Sequence, residues 1–323
     1  LVWWISGISL SLSVLGLILS FLNPSIRAPL RPGLDFTGGT QIQLERICDD
    51  SCAPIKTSIV SDVLRDLSSS KQSRDTSSVP KLSQVKVQFL DDSKLLVLRL
   101  PFLSASESQA VIGAVESVSG PFQPGGQSID NIGPSLGSQL LKSSVISLVS
   151  AFAGIAIYIS LRYDRRFAVL ALIALSHDVI IVCGIFAWLG LFLSLEVNSL
   201  FAVALLTIAG YSVNDTVVVF DRIRERGRLD SSLPLTVQID RAVASTFTRT
   251  LYTSGTTLMP LLALIFFGGN TLYWFAIALA LGVIIGSWSS IALAPSLLSL
   301  TTPLKNISSE NDIKTKLISE IEE

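Results

Sequence analysis

The sequence predicts an α-helical membrane protein with six transmembrane helices and one soluble α+β domain between the first two. Three observations carry that prediction. Charged residues make up only 15% of the 323 residues, well below the usual quarter, although the apolar share of 49% is ordinary. The 49 charges are unevenly placed: 23 lie in residues 23–141, 8 in 299–323, 18 in 142–298 and none in 1–22. Most of the 18 fall in two tight clusters, leaving several uncharged runs of about 18 or more residues, the length a membrane helix needs. A simple soluble enzyme, a disordered chain and a disulfide scaffold are all excluded.

In chain order the spans are Val2–Leu22, Ser143–Leu161, Phe167–Gly190, Val197–Phe220, Thr250–Phe267 and Leu272–Leu298. The last is longer than a bilayer requires at about 1.5 Å per residue, so it should tilt or end at Pro295. Lys and Arg in short loops set orientation. Arg162, Arg165 and Arg166 follow the second span, and Arg222, Arg224, Arg226, Arg228 and Arg241 follow the fourth. The loops Leu191–Glu196 and Gly268–Thr271 carry neither residue. The alternation puts both termini in the cytoplasm, with Lys305, Lys314 and Lys316 in the tail, and 23–141 outside. The expected domains are therefore 1–22, the first span; 23–141, the external domain; 142–298, a five-helix bundle with a cytoplasmic loop at 221–247; and 299–323, a tail. Because Leu1 already lies in an apolar run, a cytoplasmic leader is expected before it. Phe21-Leu22-Asn23-Pro24 is a poor cleavage context, which favours an uncleaved span over a signal peptide.

The external segment reads as β-α-β-β-α-β. Residues 40–46 alternate polar and apolar as a half-buried strand does, and Ile55, Ile59, Val60, Val63, Leu64 and Leu67 have helical spacing over 54–69. Val85, Val87 and Phe89 alternate again, and Asp91-Asp92-Ser93 turns the chain into Leu95–Leu100 as a hairpin. Ser104-Ala-Ser-Glu107 is a capping box ahead of a helix with Ala110, Val111, Ala114, Val115 and Val118 inward, Pro121–Gly126 breaks that helix, and Gln127–Ile132 is the last strand. That order suggests a ferredoxin-like domain, a fold that decides no function by itself. Ser68–Pro80 is polar and Ser-rich, a mobile loop by composition. Cys48 and Cys52 are either a disulfide or two free thiols, whereas Cys183 lies within a span as an apolar packing residue.

Inside the membrane a carboxylate costs roughly 2.5–3.5 kcal/mol, so each one needs a reason. Asp178, in Ser176-His177-Asp178, lies near the middle of the third span, and Asp215, in Gly210–Thr216, in the inner half of the fourth. Thr207, Tyr211, Asp215 and Val218 share a helix face by spacing. Arg249 opens the fifth span, followed by Thr253, Ser254, Thr256 and Thr257, a hydroxyl-rich turn suited to water or a proton path. The plain alternative is that both aspartates are structural, hydrogen-bonded between helices, that His177 only packs, and that Arg249 snorkels to the interface.

Other chemistries lack their residues. No G-x-x-x-x-G-K-[ST] phosphate loop, H-E-x-x-H zinc motif or G-x-S-x-G elbow occurs, and the lone histidine excludes a two-histidine site. Tyr-Ser-Val-Asn-Asp215 also lacks the G-x-G-D setting of an intramembrane aspartyl protease, so no enzyme activity is expected. The formal net charge of −1 gives no sign of nucleic-acid binding. The remaining energy source is the membrane, where one proton crossing 100 mV releases roughly 2.3 kcal/mol. A group whose charge changes can use it, which favours Asp215 as the carrier, with Arg249 tuning how tightly it holds a proton.

Several stretches resemble the SecF family, the smaller partner in the bacterial SecD–SecF protein-export complex. Gly33-Leu-Asp35-Phe36-Thr-Gly38-Gly39 resembles its G-x-D-F-x-G-G motif, and Ile132-Gly-Pro-Ser-Leu-Gly137 its V-G-P-x-x-G. Ala174-Leu-Ser-His-Asp178, Gly210–Glu225, Thr248–Thr257 and Phe267-Gly-Gly269 resemble the motifs of the third to fifth spans. The resemblance implies half of an RND-superfamily transporter, with SecD supplying the other half. It implies the Sec translocon channel and translocating polypeptide as further partners, beside membrane lipid. It also implies a bacterial-type plasma membrane, with a thylakoid membrane as the alternative, and no cofactor beyond the proton gradient. By position Asp215 resembles the proton-responsive aspartate and Arg249 its arginine. Asp178 has motif membership only, and Tyr211, Asn214, Thr216 and Thr253 are supporting polar groups. Gly38-Gly39 also reads plainly as a tight turn from the first span into the first strand. Rival readings are a scaffold subunit that leaves all coupling to SecD, and an RND-type exporter of lipids or small molecules.

Overall fold

The computed structural model describes residues 2–48, 52–72, 85–90, 93–229 and 233–301. In chain order its elements are α1 (Val2–Leu22), α2 (Leu34–Thr37), β1 (Gly39–Arg46), α3 (Thr57–Gln72), β2 (Lys86–Leu90), β3 (Leu95–Leu100), α4 (Ala105–Ser119) and β4 (Phe122–Ile132). They continue with α5 (Pro134–Arg162), α6 (Arg165–Phe192), α7 (Ser199–Leu229), α8 (Leu235–Phe267) and α9 (Gly269–Trp288). A π-turn, Ser289–Leu293, then leads into α10 (Ala294–Thr301). The described residues form two compact units, one helical and one containing the sheet.

The helical unit contains residues up to 31, 147–195 and 200 onwards. Among the described residues, six helices are long and apolar enough to cross a membrane: α1, α5, α6, α7, α8 and the run from Leu272 to Thr301. Every span read from the sequence is among them. Five begin or end further out, because a hydropathy window stops at charge whereas helix propensity does not. Thus α5 starts at Pro134, α7 runs on to Leu229 and α8 starts at Leu235, so helix fills most of the stretch read as the loop 221–247. The last span does not end at Pro295. Proline lacks an N–H, and its ring crowds the carbonyl four residues back. The ladder widens just before it, where the Ala294 N–H bonds to Ser289 O five residues earlier.

Small residues set how closely these helices pack, as expected where lipid leaves no hydrophobic drive between them. The buried residues of α1 are Ser6, Ser13, Gly16 and Ser20, and they lie against α6. Gly184 of α6 faces Ser13, and Trp188 donates its indole N–H to Leu12 O at 3.0 Å. On the far side, Gly282 of α9 faces Ile208 of α7, and Gly286 faces Ser212.

The sheet unit comprises residues 32–146 with 196–199. Its four strands are antiparallel in the order β2-β3-β1-β4. Ile42 and Leu44 of β1 and Leu96 and Leu98 of β3 point to one face, which Val60 and Leu64 of α3 and Val111 and Val115 of α4 cover. Each such fully buried side chain contributes about 1.5–3 kcal/mol over leaving it exposed. The Ser104–Glu107 capping box forms: Ser104 N–H donates to Glu107 Oε2 at 2.7 Å, and Glu107 N–H to Ser104 Oγ at 3.4 Å. The helix ends at Ser119, just before Pro121–Gly126, but the last strand starts earlier than Gln127. β4 begins at Phe122, and its pairing with β1 slips between Leu44 and Arg46. Cys48 and Cys52 are joined in a disulfide. Of the loop read at Ser68–Pro80, residues up to Gln72 continue α3. Its remainder, Asp91-Asp92 and the tail from 302 lie outside the described residues.

Candidate functional site

Asp178 and Asp215 are both buried, at 0% and 5% exposure, so each must meet its hydrogen-bonding needs inside the protein. Asp178 sits in the middle of α6, after Ser176-His177 in a helix otherwise dominated by Ala, Leu, Val and Ile. Ser212 of α7 and Ser289 of the π-turn each donate a hydroxyl to its Oδ2 at 2.6 Å, and His177 Nδ1 lies 3.0 Å from Oδ1. Asp215 lies on α7 about one turn beyond Ser212. Ser290 donates to its Oδ2 at 3.0 Å and Thr250 of α8 to its Oδ1 at 3.3 Å. A hydroxyl cluster adjoins it. Tyr211 donates to Ser254 at 3.2 Å, and the Ser254 and Ser287 hydroxyls are hydrogen-bonded at 2.5 Å.

The structure therefore brings the two aspartates into one polar layer built from α6, α7, α8 and the last span. The helix face drawn from spacing is only partly used. Thr207 is exposed and its hydroxyl turns back to Val203 O, while Tyr211 reaches the cluster but not Asp215. Asn214 is exposed. Thr216 is buried, yet its hydroxyl has no hydrogen-bond partner among the described residues. Thr253 donates to Arg249 O rather than to the carboxylate. Arg249 is exposed, and among the described residues it makes no ion pair with Asp215. Its neighbour Thr250 takes the contact instead, since only every third or fourth residue of α8 faces α7.

Sequence reasoning missed Ser212, Thr250, Ser289 and Ser290. One signal was present: Ser287-Trp288-Ser289-Ser290 places three hydroxyls in four residues of an otherwise apolar span. His177 is buried, pairs with Asp178, and its Nε2 has no hydrogen-bond partner among the described residues.

The D-F-T-G-G segment makes a second constellation within the sheet unit. Leu34–Thr37 form a helical turn, and Gly38 and Gly39 follow with φ of +68° and +129°. A Cβ on Gly38 would lie 2.8 Å from Pro134 Cα, and one on Gly39 2.7 Å from Leu100 O. A Cβ on Gly137 would lie 2.8 Å from Gly38 N, so the glycines of the two outer motifs pack on each other. Phe36 is half-buried, and its carbonyl lies against Gly137. Asp35 does more than complete the turn. Its carboxylate accepts the Ser199 N–H at 2.8 Å, together with the Ser199 hydroxyl, at the first residue of α7. Beside it Gly33 N–H donates to Val197 O at 2.8 Å, and Glu196 pairs with Arg99 and, at 3.4 Å, with Lys86.

Comparison with known proteins bears directly on these two constellations. The model of the C-terminal part of the protein export membrane proteins SecD/SecF matches residues 115–302, and the SecD/SecF GG motif matches 27–45. The SecF protein translocase subunit of Prochlorococcus marinus is 60% identical over 299 residues, covering 93% of this chain and 92% of that one. The chain belongs to the SecF family of protein translocase subunits. The SecF of Synechocystis sp. is 40% identical over 91% of the chain and 90% of its own length. The crystal structure of SecDF from Thermus thermophilus, a translocon-associated membrane protein, superposes with a TM-score of 0.72 at 29% identity. It matches 93% of this chain, which spans 37% of that longer one. Both the buried carboxylates and the D-F-T-G-G turn thus fall within the matched stretches of a SecF-family chain.

Proposed function

We propose that this SecF-family chain is a proton-coupled subunit that works with SecD to complete polypeptide export through the Sec channel. The observation that carries the reading is the setting of Asp215. It is a buried carboxyl served by two hydroxyls, with no cation hydrogen-bonded to it among the described residues, in a chain that lacks any phosphate loop. Such a group meets its needs in either protonation state, because a hydroxyl donates to a carboxylate and accepts from a carboxylic acid. Arg249, one residue before Thr250, is the nearby cation whose approach and withdrawal favour one state and then the other. Asp178 belongs to the same relay, and Tyr211, Asn214, Thr216 and Thr253 support it. Asp35, Phe36, Gly38 and Gly39 form the family motif after the first span.

SecD is the partner that fits a half-transporter, and a fused SecDF relative of which this chain spans 33% supports it. The exposed Thr207, Gly210 and Asn214 on α7, and Arg249, Tyr252 and Thr256 on α8, are polar or small where lipid would favour apolar side chains. The domain at 23–141 is ferredoxin-like, a reading supported by the β-α-β-β-α-β order and the strand order 2-3-1-4. It lies outside, both termini lie in the cytoplasm, and the membrane is the plasma or inner membrane, in keeping with the arginine clusters. Proton passage at Asp215 rearranges the helices and moves the Ser104–Gly120 side of the outer domain against the emerging chain.

The test is Asp215→Asn in the complex with SecD, reconstituted with the Sec channel, measuring export of a secretory protein with and without a proton gradient. Export by the variant should fall to the level seen without a gradient. A variant that still responds fully to the gradient would sink the relay.

A further inference from the structure

Two neighbouring serines hold two carboxylates that belong to different helices. Ser289 Oγ donates to Asp178 of α6 at 2.6 Å, and Ser290 Oγ to Asp215 of α7 at 3.0 Å. On a regular helix successive side chains diverge by about 100°, and wide π-turns tend to occur where that regularity gives way to a functional need. Here the two serines are the first residues of the π-turn. Each hydroxyl also has a second acceptor within its own helix. Gly286 O lies 3.1 Å from Ser289 Oγ, and Ser287 O lies 3.1 Å from Ser290 Oγ.

We propose that Ser289 and Ser290 are positioning residues that couple the protonation of Asp178 to that of Asp215 through the π-turn. The inference rests on the proton-carrier reading of Asp215. An ionised Asp178 takes the Ser289 proton in a hydrogen bond and draws the turn toward α6. When that carboxyl gains a proton from water, its own O–H donates to Ser289 Oγ, and the serine proton swings to Gly286 O. The same reversal at Asp215 turns the Ser290 proton to Ser287 O. No bond between heavy atoms forms or breaks; one proton arrives and two hydrogen bonds change direction. Because the serines are consecutive, a shift at one displaces the donor of the other.

The surroundings leave few competing charges. On α6 His177 faces Asp178, while α7 and the last span offer it only Ser212 and Ser289. Around Asp215 the last span offers Ser290 and α8 offers Thr250, with Arg249 the next residue and Tyr211 of α7 in the adjoining hydroxyl cluster. α1 brings no charge at all.

The test is a pH titration by infrared difference spectroscopy of the full chain with the SecD partner proposed above, in liposomes. Asp178→Asn and Asp215→Asn assign the two carboxyl bands. Ser289→Ala, which removes a contact made to Asp178 alone, should move the Asp215 midpoint by about one pH unit, a tenfold change in proton affinity. Asp178→Asn should move it too, and keeps the test decisive should the serine variant not assemble. Ser289→Thr, which retains the hydroxyl, should restore the native midpoint. An Asp215 that titrates at its native midpoint in both Ser289→Ala and Asp178→Asn overturns the coupling and leaves the proton-carrier reading standing. A native Asp215 that never titrates overturns both.

Discussion

Gly38 and Gly113 show how differently two glycines act. Gly38 has φ of +68°, and a Cβ there would lie 2.8 Å from Pro134 Cα, a backbone atom with nowhere to go. Gly38→Ala should therefore destabilise the protein by about 1–3 kcal/mol, read as a lower melting temperature in detergent. Gly113 lies exposed in the middle of α4 with nothing within 4 Å of its would-be Cβ. Gly113→Ala should instead stabilise by roughly 0.5–1 kcal/mol in the same measurement. A drop of similar size in both would refute the steric account. At this scale the sequence is most legible where the interaction is local. Ser104 and Glu107 announce their capping box, and Asp178 and Asp215 announce themselves as charges in apolar runs. Ser289 and Ser290 do not, because their partners lie on two other helices, and no spacing within the last span points to either carboxylate.

Among elements, α7 depends on a residue far away in the chain. Its first residue, Ser199, is held by Asp35, 164 positions earlier. Substituting the cap, Asp35→Ala, should cost about 1 kcal/mol and hasten amide hydrogen exchange in the first turn of α7. Asp35→Asn, which keeps an acceptor oxygen, should lose less. Unchanged exchange in the alanine variant would show that the cap contributes nothing. No periodicity reveals this contact, since a cap 164 positions away leaves no mark in the residues just before the helix. The strands and helices of the sheet unit were readable because alternation and 3.6-residue spacing are written within each segment. Pro121–Gly126 does end α4, but β4 already starts within it at Phe122 and shifts its pairing with β1 between Leu44 and Arg46, so the strand is longer than its alternation suggests.

For the molecule as a whole, the apolar runs located all six long helices, and their ends were missed where helix continues past the last apolar residue. Orientation is open to direct measurement. In a Cys183→Ala background, Ser128→Cys should react with a membrane-impermeant thiol reagent added to intact cells, whereas Arg228→Cys should react only after the membrane is opened. Both positions are exposed, so accessibility from the two sides decides the result. The reverse pattern would invert the proposed topology. The polar layer itself resisted sequence reasoning for a reason of scale, since it draws on four segments that meet only once the bundle is packed.

The contact between Asp35 and Ser199 turns α7 into a lever. Sixteen residues separate Ser199 from Asp215, or roughly 24 Å of helix at 1.5 Å per residue. With the first turn held, a tilt of about 5° would sweep Asp215 sideways by roughly 2 Å over that arm. That stroke is large beside the 3.0 Å bond from Ser290, so a slight pivot at one end of α7 would be enough to make or break that hydrogen bond at the other.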